Sequence, residues 1–154
     1  MLLNKTISWR LASALAALSA AVAVYCLARA QPPALLQPLQ ATQAALLAHP
    51  GLFGSLPSLL FTLAMGLLLG ACANSRSAAM LHCSLWTGLA LLLELTQHPL
   101  IATPLAARLP RFFNDSIWAT IGPYWTRGIF DPVDILATLA GGSIALLLIA
   151  RTSR

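Results

Sequence analysis

No lysine, arginine, aspartate or glutamate occurs between residues 30 and 75 of this chain. A soluble domain carries about 25% charged residues, and an uninterrupted leucine- and alanine-rich stretch of this length would leave more apolar surface in water than a small soluble fold tolerates. The shortage of charge is general, because 8% of the 154 residues are charged and 58% are hydrophobic. The expected fold is all-α: a polytopic membrane helix bundle of about four transmembrane helices, forming one integral membrane domain over residues 1–154.

Four apolar runs supply the spans, at about 11–28, 56–73, 78–97 and 133–150. The first follows Lys5 and Arg10. It also precedes Ala28-Arg29-Ala30, which imitates a signal-peptide cleavage site; the apolar region exceeds the usual ~7–15 residues and the site carries an arginine, so a retained span is expected. Pro57 suits the first turn of the second helix, where a missing N–H costs no hydrogen bond. A gap of about four residues to the third run predicts a tight antiparallel hairpin. Gly66 and Gly70, and later Gly141-Gly142, offer surfaces for close helix approach.

Two segments are interfacial in this reading. Residues 31–50 carry Pro32, Pro33, Pro38 and Pro50, with Gln37, Gln40 and Gln43 spaced against leucines, as in a short helix lying in the membrane surface or a loop folded over the bundle. Residues 98–131 combine four prolines with Phe112, Phe113, Trp118, Tyr124, Trp125 and Phe130, the composition of an aromatic segment anchored at headgroup level or dipping back over the bundle between the last two spans.

The net charge of +5 comes from basic residues scattered beside apolar runs, which excludes the basic stripe of a nucleic-acid binder. Lys5, Arg10, Arg76, Arg151 and Arg154 instead read as topology signals, placing both termini in the cytoplasm. Cys26, Cys72 and Cys83 have no metal-ligand spacing and read as small apolar residues, while His49, His82 and His98 fall in different segments. No metal, no cofactor, no phosphate-cradling loop and no nucleophile–base arrangement is expected.

The chemistry concentrates around Glu94, the only glutamate, at the end of the third run with Gln97 on the same helix face. A charged acid at the centre of a bilayer costs roughly 2.5–3.5 kcal/mol, so such residues face a partner, a cavity or water. Because one segment joins the third and fourth spans, the end of one and the start of the other share a membrane side. Glu94, Gln97, Asp131 and Asp134 therefore share a level. The plain alternatives are that Asp131 caps the last helix, that Asp134 sits in its first turn, and that Glu94 pairs with Arg108, Arg111 or Arg127 to fix the bundle.

The order Glu94-x-x-Gln97, a loop, then Phe130-Asp131-x-x-Asp134-x-x-x-Thr138-x-x-Gly141 resembles the VanZ-like family of small bacterial membrane proteins. By position, Glu94 and Gln97 match the family's acid and amide, Asp134 its aspartate, Gly141 its glycine and Arg127 its loop arginine. Thr138 stands where the family usually has asparagine, the loop is longer and more aromatic, and the family's H-F-x-x-Y pattern is absent. The resemblance implies a multi-pass protein of the bacterial cytoplasmic membrane acting in the cell envelope, its reaction undefined. The expected polar site comprises Glu94, Gln97, Asp131, Asp134, Thr138 and Arg127, with Glu94 as acceptor and Arg127 holding an anionic headgroup. Membrane lipids are the expected partners. The rival expectation is a non-catalytic membrane subunit that binds a larger membrane-protein partner, or a homodimer.

Overall fold

The apolar runs form helices whose ends are set by proline and small polar residues. A computed structural model describes residues 5–27, 54–126 and 128–152, and contains helices and turns with no strand among those residues. The long helices are α1 (Lys5–Leu27), α2 (Leu56–Ala71) and α3 (Arg76–Thr96). The short helices α4 (Pro99–Arg108), α5 (Asp115–Ile121) and α6 (Pro123–Thr126) follow, with a 3-10 turn at Leu109–Arg111 after α4, and α7 (Pro132–Thr152) closes the chain. Pro57 lies in the first turn of α2. The Ser75 side chain caps α3, accepting from the Ala78 amide at 3.1 Å. The expected segment 31–50 lies outside the described residues.

Three stretches are long and apolar enough to cross a membrane: Thr6–Cys26, Arg76–Thr96 and Pro132–Thr152, with mean hydropathies of 1.6, 1.5 and 2.1. They point to a membrane protein. The helix α2, at 16 residues, is shorter. It is nonetheless the hub, packed against α1, α3 and α7. The core is built of small side chains, Ala14, Ala79, Cys83 and Ala145, around Leu67 and Ile149. Large ones point outward: Leu85 is 63% exposed and Leu136 65%. That is the inverse of a water-soluble helix bundle and suits helices that associate through small residues while lipid covers the leucines.

Two contacts set the spacing and order of the helices. At Gly141, an added Cβ would run into the Leu59 carbonyl, so α7 rests directly on the α2 backbone. Gly142 lies equally tightly against Thr87 of α3. At one end of the bundle, Arg10 is 5% exposed and donates from Nη1 to the Gly70 carbonyl at 3.0 Å. Its Nη2 donates to the Ile149 carbonyl at 3.5 Å and to Thr152 Oγ1 at 3.3 Å. The start of α1 therefore meets the ends of α2 and α7, where unsatisfied carbonyls and the helix dipole favour a cation. The expectation that Arg10 lies just beyond the first span is corrected: α1 begins before it, and the guanidinium is buried within the bundle's end, where three acceptors compensate its desolvation.

Between α3 and α7, the aromatic segment is broken by its prolines into short helices. His98 caps α4 and meets Phe130 edge-on, with ring centroids 4.8 Å apart. Trp125 Nε1 donates to Thr96 Oγ1 at 3.1 Å, tying the segment to the end of α3. The rings of Trp118 and Trp125 lie parallel, with centroids 6.3 Å apart.

Arg10→Ala should destabilise the bundle by roughly 1.5–3 kcal/mol for each charge-assisted hydrogen bond lost, measured by reversible unfolding in mixed micelles. Gly141→Ala should cost about 1–3 kcal/mol by forcing α2 and α7 apart. Gly88→Ala, where an added Cβ meets nothing within 4 Å, should be neutral or slightly stabilising because alanine is the better helix former.

Candidate functional site

Glu94 lies near the end of α3, half-buried, in the wall of a cleft of about 520 Å³. The cleft is bounded by Leu18, Val22 and Tyr25 of α1, by Ser58, Phe61 and Thr62 of α2, by Trp86 and Leu93 of α3, by Tyr124 of α6 and by Thr138 of α7. Among the described residues Glu94 is the one charged side chain in these walls. The cleft exists because α1 packs mainly on α2, and α3 mainly on α2 and α7, which leaves a gap between α1 and α3.

The polar groups gather at the Glu94 end. Ser58 Oγ donates to Asp134 Oδ1 at 3.3 Å, joining the first turns of α2 and α7. Asp134 is close enough for its charge to act on Glu94. Thr138, one turn along α7 from Asp134, is 1% exposed and reaches the cleft wall. Among the described residues, no hydrogen bond or ion pair holds the Glu94 carboxylate, and neither Arg108 nor Arg111 pairs with it. A second orphan belongs to the cleft wall: the buried Trp86 Nε1 has no hydrogen-bond partner among the described residues, and its ring meets Phe61 edge-on at 5.9 Å.

The expected site residues divide accordingly. Glu94 and Thr138 share the cleft, and Asp134 adjoins it through Ser58. Gln97 lies behind it, packed on Gly128 and near the Tyr124 phenol. Asp131 serves α7, its Oδ1 accepting from the Val133 amide at 2.9 Å. Arg127 lies outside the described residues. Sequence reasoning missed Ser58, Tyr124, Tyr25 and Trp86. For Ser58 a signal existed, since the start of the second run falls on the same side as the end of the third when spans alternate. The aromatic residues carried no comparable mark, because each resembles an interfacial anchor or a packing residue.

Chemically, the arrangement is an apolar cleft with an acidic end. Among the described residues, no group of three His, Cys, Asp or Glu side chains is placed to hold a metal ion. The three cysteines are free thiols, and Cys83 points toward the Gly142 carbonyl at 3.9 Å. What the end can do is accept hydrogen bonds and attract positive charge. No family model, curated protein or solved structure matches the chain.

Burial pushes the Tyr124 phenol above its ordinary value of 10.0; its hydrogen bond with Gln97 opposes this, the Glu94 charge adds to it, and a hydrogen bond with Thr96 opposes it again. Below pH ~10 the phenol is neutral in folded and unfolded chains alike. As pH rises past that point the unfolded chain ionises first, so stability falls. Tyr124→Phe should therefore lose less stability than wild type above pH ~10 in alkaline unfolding. Glu94→Gln should bring the phenol back toward its ordinary range, read by ultraviolet titration against Tyr124→Phe.

Proposed function

We propose that the chain is a VanZ-like integral membrane protein of the bacterial cell envelope that holds the polar head of an envelope amphiphile at the acidic end of its cleft. The observation that carries this is Glu94: a carboxylate left without a partner among the described residues, in a cleft whose other walls are almost all apolar. Leaving such a group unsatisfied is costly, and polar groups held in an apolar span mark ligand or ion sites by default. In this reading Glu94 is the hydrogen-bond or proton acceptor. Thr138 shapes the cleft beside it, Asp134 completes the polar end, and Gln97 acts from behind through Tyr124.

The chain is proposed to cross the cytoplasmic membrane four times. At ~1.5 Å per residue, 16 residues extend for about 24 Å, short of a ~30 Å hydrocarbon core. Local thinning accommodates the difference at modest cost, and α2 is enclosed by three neighbours. Arg10, Arg76 and Arg151 stand at one end of the bundle, and Glu94, Asp131 and Asp134 at the other. This supports a cytoplasmic basic end with the cleft's acidic end outward.

The rival reading, a non-catalytic subunit for a larger complex, is less well supported. Gly66, Gly70, Gly141 and Gly142, the surfaces on which a partner helix would close, are already occupied by Cys83, Ile149, Leu59 and Thr87 of the same chain.

A deletion strain challenged with envelope-targeting antibiotics and complemented in trans tests the proposal. Glu94→Ala should lose complementation at near-normal membrane abundance, and Asp134→Ala should be impaired. Full rescue by both variants would sink the site reading. Protein lost in step with activity would make Glu94 a structural residue.

A further inference from the structure

We infer that the cleft takes a lipid whose head carries a protonated primary amine, the chemistry of an aminophospholipid. This rests on the amphiphile reading above and names the class of head. Four observations converge on it.

The first is charge. Among the described residues Glu94 is the one charged residue of the cleft walls, Asp134 lies close enough to act on it, and no cation neutralises it. A head bearing only phosphate would bring like charge to like. An ammonium supplies a counter-charge that no described residue provides, and its N–H groups find a further acceptor in the half-buried Ser58 hydroxyl.

The second is aromatic content. Tyr25, Phe61, Trp86 and Tyr124 all contribute to the walls of the same cleft. Rings around a carboxylate favour a cation, which is attracted to both. The third is the orphan donor. Trp86 lies eight positions before Glu94 on α3, about 12 Å along the axis at ~1.5 Å per residue. An extended aminophospholipid head covers that kind of interval between its ammonium and its glycerol ester oxygens. Trp86 Nε1 is itself closed to solvent, so an ester oxygen at this wall would reach it only once the indole turns toward the cleft, and it would then supply an acceptor that none of the described residues provides.

The fourth is the way out. About 520 Å³ accommodates a head and its first methylenes but not two whole acyl chains. The chains have a path over Leu18, Val22 and Leu93, of which Val22 is 55% exposed and Leu93 39%. An open side of this kind admits a ligand from the bilayer rather than from water.

The test uses the full chain purified in detergent, titrated with dihexanoyl phosphatidylethanolamine and followed by native mass spectrometry and thermal midpoint. Comparison arms are the N-acetylated ethanolamine lipid, phosphatidylcholine and phosphatidylglycerol of the same chains, and chain-free glycerophosphoethanolamine. The primary amine lipid should bind at least about tenfold more tightly than phosphatidylglycerol and than its N-acetylated form, with phosphatidylcholine between them. Glu94→Gln, which keeps the shape and removes the charge, should abolish that preference while leaving the unliganded midpoint near wild type. Trp86→Phe should weaken all diacyl lipids together.

Equal binding of the acetylated lipid, or a preference that survives Glu94→Gln, overturns the inference. Binding of chain-free glycerophosphoethanolamine as tight as that of the lipid overturns the membrane source. Loss of complementation by Glu94→Ala together with absent amine selectivity would discard the head chemistry and leave the site intact. Selective binding with full complementation by Glu94→Ala would uphold the ligand and discard its role in the envelope.

Discussion

The close approach of α2 and α7 depends on the missing side chain at Gly141. With no Cβ there, α7 lies on the α2 backbone at Leu59, and that contact sets the register of the two helices. One turn toward the start of α7, Thr138 reaches the cleft wall. Two turns along, Asp134 accepts from Ser58. In the other direction Ile149 comes against Gly70, and its carbonyl joins that of Gly70 around Arg10. A single close approach thus fixes the acidic end and the basic clamp together.

The two ends treat charge in opposite ways. Arg10 is buried but satisfied, since the C-terminal carbonyls of two helices and a threonine hydroxyl surround it. Glu94 is half-buried and finds no partner among the described residues, with a like charge nearby. A bundle that were only structural would gain stability by pairing or replacing such an acid. Keeping it beside an open cleft suits a residue that meets something from outside the chain.

Much of the architecture was legible in the residues. Uninterrupted apolar runs bounded by Pro57, Ser75 and Pro132 gave helices near the anticipated ranges, because hydrophobic length and backbone punctuation act locally. The shared level of Glu94 and Asp134 was legible from connectivity alone. Less legible was Arg10, whose partners lie 60 and 139 positions away. Ser58 and Tyr124 were passed over for the same reason: a serine in a helix and a tyrosine in an aromatic loop gain meaning only from what stands opposite. Gln97, on the same face as Glu94 by spacing, turns instead to Tyr124 and Gly128.

The sequence by itself determined the helical composition, the positions of the long apolar segments and the concentration of acids toward one end, since these depend on hydropathy, proline placement and chain order. Only the tertiary structure decided that α1 and α3 part to open a cleft, that Glu94 lies in its wall with no partner among the described residues, and that Arg10 is inside the bundle rather than beside it. Those outcomes are set by which small residues let which helices touch, a property of pairs of surfaces distant in sequence.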